Sequence, residues 1–129
     1  MIAIDTNLVI RYLTNDHPEQ ADRARAVIDR ETVFVPVTVM LEAEWVLRGA
    51  YGYTRSEIAG ALRAFGGLLN VTLEEEATVA AALDLMERGM DFADALHLGK
   101  SAHCDEFLTF DQKLVKAAKA IGHDSVREA

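Results

Sequence analysis

MIAIDTNLVIRYL, residues 1–13, decides how the rest of the chain is read. Met1 to Ile4 are apolar, the run stops at the carboxylate of Asp5, and after Thr6 and Asn7 a second apolar run begins. A short, continuously apolar run reads as a strand buried on both faces, as in a parallel sheet. Thr6 or Asn7 can cap a short helix through LVIRYL. A strand passing directly into a helix opens an α/β fold, and in such sheets ligands bind outside the carboxyl ends of the strands. Asp5 stands at such an end, where an acid taken alone also reads as a turn residue or helix cap. Its meaning depends on whether other acids reach the same edge.

The rest of the chain repeats the alternation. HPEQADRARAVIDR (17–30) predicts a helix with Pro18 early and Ala21, Ala24, Val27 and Ile28 on one face. TVFVPV (32–37) is a β-branched run and a second strand. Thr38 is the expected cap of the helix TVMLEAEWVLRGAYG (38–52), closed by Gly49 or Gly52. SEIAGALRAF (56–65) is amphipathic and ends at Gly66 and Gly67, and NVTL (70–73) is a third strand. EEEATVAAALDLMERG (74–89) starts acidic and ends with Arg88 and Gly89, the polarity a helix dipole favours; Glu74 to Glu76 read as a helix start and nothing more. DFADALHLGKSAHC (91–104) is a helix, EFLTF (106–110) a fourth strand and DQKLVKAAKAIG (111–122) a helix. The tail, DSVREA, has room for only a very short strand. This pattern predicts an α/β fold with a small central, mainly parallel sheet of four to five strands, helices on both faces, in three α/β/α layers.

The bulk composition bounds the possibilities. A chain of 129 residues, half hydrophobic and 26% charged, fits one globular domain over 1–129, with no repeats or linkers. No apolar run approaches the roughly 20 residues that span a bilayer. The first residues lack the basic flank and cleavage site of a signal peptide, and a single cysteine, Cys104, suits a reducing, cytoplasmic setting. Cys104 reads as a small buried hydrophobe. The net charge of −8 argues against non-specific nucleic-acid binding through basic surface. Carboxylates gathered to hold divalent cations would create the same imbalance.

The acids recur where strands end. Asp111 directly follows the fourth strand, so in a parallel sheet it shares an edge with Asp5. Glu42 has Val39, Trp45 and Val46 as helix neighbours, an apolar face on which an ionised carboxylate must be paired or metal-bound. Glu44, flanked by Met40 and Leu47, is its rival and reads as a surface residue. Asp91 and Asp94 lie three apart at a helix start, where Asp91 fits the N-cap. His97, one turn later, reads as a packing or surface histidine. Carboxylates converging on one edge raise one another's pKa values unless a cation is present. A hard ion such as Mg²⁺ or Mn²⁺ takes oxygen ligands. Acids without His or Cys partners suit metal-assisted phosphodiester chemistry better than zinc chemistry.

Four segments in order, IDTN, VTVMLEAEWVLRGAYG, DFADALHLG and FLTFDQKL, resemble the PIN-domain nucleases, most closely the VapC-type toxins of toxin–antitoxin pairs. The resemblance covers nearly the whole chain. It implies an α/β/α sandwich whose acidic pocket binds Mg²⁺ or Mn²⁺ and cleaves RNA. Residue by residue it carries the catalytic and metal-binding roles to Asp5, Glu42, Asp94 and Asp111; Asp91, from its position beside Asp94, is a candidate outer contact through water as well as an N-cap. Many relatives have asparagine at the position of Asp111 and an acid a few residues later; here Gln112, Lys113 and Leu114 follow instead. The resemblance also implies a small cognate antitoxin protein and a homodimer; the RNA target is left open between transfer and ribosomal RNA. Leu8, Val9 and Tyr12, or Trp45 and Leu47, are the apolar residues expected to receive the antitoxin. The alternatives are an RNA-processing PIN nuclease without a toxin role and a non-catalytic binding module. Phosphoryl transfer at an aspartate fits less well: the phosphatase pattern wants a second Asp where this chain has Asn7, and the receiver pattern a Lys where it has Asp111.

Overall fold

Local chemistry accounts for most of the element boundaries. A computed structural model describes residues Met1–Ala129, and its seven helices and five strands follow the predicted alternation. By contacts the chain divides into two compact units, Met1–Val79 and Ala80–Ala129.

The first unit opens with β1 (Ile2–Ala3), α1 (Thr6–Leu13) and α2 (Pro18–Arg30). Pro18 takes the first helical position of α2, where its missing N–H costs nothing, and His17 Nδ1 accepts the N–H of Gln20. The expected apolar face is buried at Ala21, Ala24 and Ile28. β2 (Val33–Val35) and α3 (Val37–Gly49) follow, then α4 (Arg55–Gly66) and β3 (Val71–Leu73). Thr54 and Glu57 form a reciprocal capping box at the start of α4. At its other end a Cβ on Gly66 would lie 2.7 Å from Leu73 Cδ1, so the missing side chain lets α4 pack closely on β3.

The three strands pair in parallel in the order β1-β2-β3, with Ile2 opposite Val33 and Val33 opposite Val71. The middle strand carries the core: Val33 and Val35 are fully buried, together with Val9, Met40, Leu47, Ile58 and Leu62. Tyr12 and Phe65 meet edge to face at 5.5 Å. The outermost strand departs from expectation. Ile2 is 41% exposed and Ala3 is exposed, because β1 is short and bonded on one side only; it is not buried on both faces.

The second unit begins within α5 (Glu76–Glu87) and continues through α6 (Phe92–Lys100), β4 (Phe107–Thr109), α7 (Gln112–Ala120) and β5 (Val126–Glu128). Leu83, Met86, Phe92 and Ala118 are buried there. β4 and β5 pair in parallel, so the short tail does form a strand. The α/β class and the parallel direction stand as expected. The five strands are divided between ladders of three and two, where alternation alone predicts one sheet. α6 also ends before His103 and Cys104, and Cys104 is exposed rather than buried.

Candidate active site

Three of the six acids singled out by sequence are helix N-caps. Asp5 caps α1, its Oδ1 accepting the N–H of Leu8 at 3.2 Å. The cap is therefore Asp5, in the plain role open to an acid at a strand end, rather than Thr6 or Asn7. Asp91 caps α6 by accepting the N–H of Asp94 at 3.3 Å, as expected. Asp111 caps α7, accepting from Lys113 at 2.9 Å and Leu114 at 3.3 Å. The physical reason is common to all three. A helix start presents unpaired N–H groups and a partial positive charge, which a short carboxylate satisfies while staying solvent-exposed. At Asp5 and Asp111 that helix start directly follows a strand, so the cap also sits at the strand's carboxyl end.

In the first unit Asp5 and Glu42 are connected through Thr6. The Thr6 hydroxyl, itself buried, donates to Glu42 Oε1. This links the start of α1 to the middle of α3 and orients the Glu42 carboxylate. Glu42 is exposed, however, and the reasoning that placed it in an apolar environment does not hold. Trp45 on its face is 63% exposed, and Val39 and Val46 are half-buried. The buried glutamate is Glu44, at 3% exposure, held by Arg48 Nε at 2.9 Å and packed with Met40, Ala43 and Leu47. The expectation that Glu44 lies at the surface is overturned. Residues two apart on a helix point about 200° apart, so only one of the two can face the core.

One acid at this edge was not anticipated. Glu74, immediately after β3, accepts the N–H of Val37 at 2.8 Å and so caps α3, whose own N-cap residue is Pro36. Thr38 does not cap that helix. No local sequence signal points to Glu74, because the bond joins residues 37 apart.

In the second unit Asp94 feels the charges of two other acids. Burial pushes the Asp94 carboxyl above its ordinary value, and the charges of Asp91 and then Asp111 push it further; His97 opposes them. His97 is exposed, in keeping with its surface reading. No group of three or more His, Cys, Asp or Glu side chains is arranged to hold a metal ion. The donor chemistry nonetheless fits a hard divalent cation. All the candidate groups are carboxylates, and the repulsion around Asp94 is the kind a cation relieves. A separate cavity of about 450 Å³, lined by Arg88, Leu98, Ser101, Phe107 and His123, includes none of these acids.

The sequence pattern of the PIN domain matches residues 2–120. The chain belongs to the PIN domain family. PIN domains are generally nucleases, hydrolases that act on RNA and typically use divalent metal ions. The match spans both units of this PIN domain and takes in Asp5, Glu42, Asp91, Asp94 and Asp111. Comparison with curated proteins finds no match. No helix is long and apolar enough to cross a membrane. Of the apolar residues expected to receive a partner, Val9 and Leu47 are fully buried and unavailable, whereas Trp45 is open to solvent and Leu8 and Tyr12 partly so.

Proposed function

We propose that this PIN domain is a Mg²⁺- or Mn²⁺-dependent endoribonuclease and the VapC-type toxin of a toxin–antitoxin pair. The observation that carries the nuclease reading is the match to the PIN pattern over residues 2–120, which takes in Asp5, Glu42, Asp91, Asp94 and Asp111. Asp5, Glu42, Asp94 and Asp111 would hold the cation, with Asp91 in outer contact. Bound there, the ion supplies positive charge against the negative charge that develops on the phosphate oxygens during hydrolysis.

The chain's own groups prepare for that chemistry. The Leu8 N–H holds one oxygen of Asp5, and the Thr6 hydroxyl holds one oxygen of Glu42. Each carboxylate is thereby oriented, with its second oxygen left for a ligand. The backbone N–H groups of Lys113 and Leu114 orient Asp111 in the same way. One carboxylate of the set accepts the proton of the attacking water. The toxin reading adds a cytoplasmic location, a homodimer, and a small antitoxin that presents a basic side chain to the acids and apolar side chains to the Trp45 surface.

The test is to incubate the purified protein with total RNA and Mg²⁺ or Mn²⁺ and to map the new 5′ ends. Discrete ends, in transfer or ribosomal RNA, that vanish with chelator and in Asp5→Asn are the expected result. Undiminished cleavage in chelator would sink the metal-dependent reading. Undiminished cleavage by Asp5→Asn would remove Asp5 from the site.

A further inference from the structure

We infer that the groove between α1 and α2 binds the phosphodiester backbone of the substrate RNA beside the scissile bond; the inference rests on the nuclease reading. The groove encloses about 250 Å³. It is lined by the apolar Leu8 and Ala24 and by the polar Asn7, Arg11, Gln20 and Arg23. Arg11 and Arg23 place two guanidinium groups on one groove in a chain of net charge −8. Arg11 is held in place by Gln20 Oε1 at 2.8 Å, the Tyr51 hydroxyl at 3.2 Å and Asp16 at 3.6 Å. Because Gln20 uses its carbonyl oxygen on Arg11, its amide NH₂ remains a donor for a ligand. Arg23 is exposed and makes no side-chain hydrogen bond or ion pair, so its five N–H donors are free for an anion.

The donors in this groove suit a phosphate, which a guanidinium grips through two parallel hydrogen bonds. Position favours RNA over an acidic peptide. Asn7 lies on α1 two residues from Asp5, and Arg11 stands about 9 Å along the helix axis from Asp5 at 1.5 Å per residue. A strand with one phosphate at Asp5 therefore brings a neighbouring phosphate within reach of the groove.

The experiment measures binding of a single-stranded RNA oligonucleotide to Asp5→Asn protein, which keeps a competent cap and leaves the RNA intact. Arg23→Ala is compared with Arg25→Ala in that background across a salt series. Arg25 lies two residues on, engaged with Asp22 and Asn15, so its removal changes the net charge equally without touching the groove. Arg23→Ala is expected to weaken binding on the order of tenfold more than Arg25→Ala. The slope of log affinity against log salt should also fall by about 0.7, the loss of one phosphate contact to a single strand. Arg23→Lys should restore part of both. Equal binding by Arg23→Ala and Arg25→Ala at every salt concentration overturns the inference. So does a polyglutamate peptide whose binding depends on Arg23 while RNA binding does not, since that gives the groove to an acidic protein segment. Failure of the parent to cleave RNA with Mg²⁺ or Mn²⁺ is a separate result that removes the nuclease reading itself.

Discussion

Glu42 and Glu44 sit two residues apart on α3, and their glutamine variants should part ways in two assays. Glu44 is 3% exposed, and its two oxygens accept from Arg48 at 2.9 and 3.5 Å. Glu44→Gln keeps the volume and one acceptor but loses the charge assistance of that pair. Hydrogen bonds to charged groups contribute about 1.5–3 kcal/mol. Arg48 is half exposed and can recover water, which puts the loss at the lower end, about 1–2 kcal/mol. With an unfolding entropy of about 2.1 cal/mol/K per residue, 129 residues give about 0.27 kcal/mol/K, so the Tm should fall by about 4–7 °C. Glu42→Gln removes an exposed charge and leaves an amide oxygen to accept from Thr6, so stability should move by about 0.5 kcal/mol or less. Its RNA cleavage should fall on the order of 100-fold or more, if Glu42 holds the cation. Thermal melts and cleavage of one RNA substrate, run on both variants, decide the matter. An unmoved Tm with abolished cleavage in Glu44→Gln, together with full cleavage by Glu42→Gln, would refute the assignment and transfer the ligand role to Glu44.

In metal-free protein at neutral pH, Asp94→Asn should be as stable as the parent or more so, since it removes a half-buried charge repelled by Asp91 and Asp111; a large loss of Tm would indicate a structural role for that carboxylate instead. Adding Mg²⁺ or Mn²⁺ should raise the parent's Tm by mass action and raise that of Asp94→Asn less. Hydrogen bonds from Tyr51 and then Thr14 hold the Asp16 carboxyl below its ordinary value, aided by the Arg11 charge. The folded state thus binds that proton less tightly than the unfolded chain, and Asp16's contribution, present above the ordinary carboxylate value, is lost as pH falls through the lowered one. In Tyr51→Phe, NMR titration should find the Asp16 value moved upward; no movement would show that the phenol is not responsible. Expression of the active protein alone should arrest growth, and either Asp5→Asn or co-expression of an adjacent small antitoxin gene should relieve it. Harmless high expression in the native host would remove the toxin role and leave the nuclease intact.

The order of helices and strands was legible in the sequence because its signals are local. Pro18 at a helix start, β-branched residues in 32–37 and the glycine pair Gly66 and Gly67 at a helix end act over a few residues. The acids at strand ends were legible for the same reason, since Asp5 and Asp111 each lie where an apolar run stops and a helix begins. What the sequence by itself determined is therefore the α/β alternation, the family, and the chain positions of the carboxylates. Tertiary structure decided the rest through contacts distant in sequence. It divided the strands between two ladders, drew Glu74 across to cap α3 and brought the Thr6 hydroxyl to Glu42. It also turned Glu44 inward and Glu42 outward, against the local reading. Apolar neighbours surround both glutamates in sequence, but a helix can bury only one face, and the packing of α3 with Met40, Ala43 and Leu47 inward selects it.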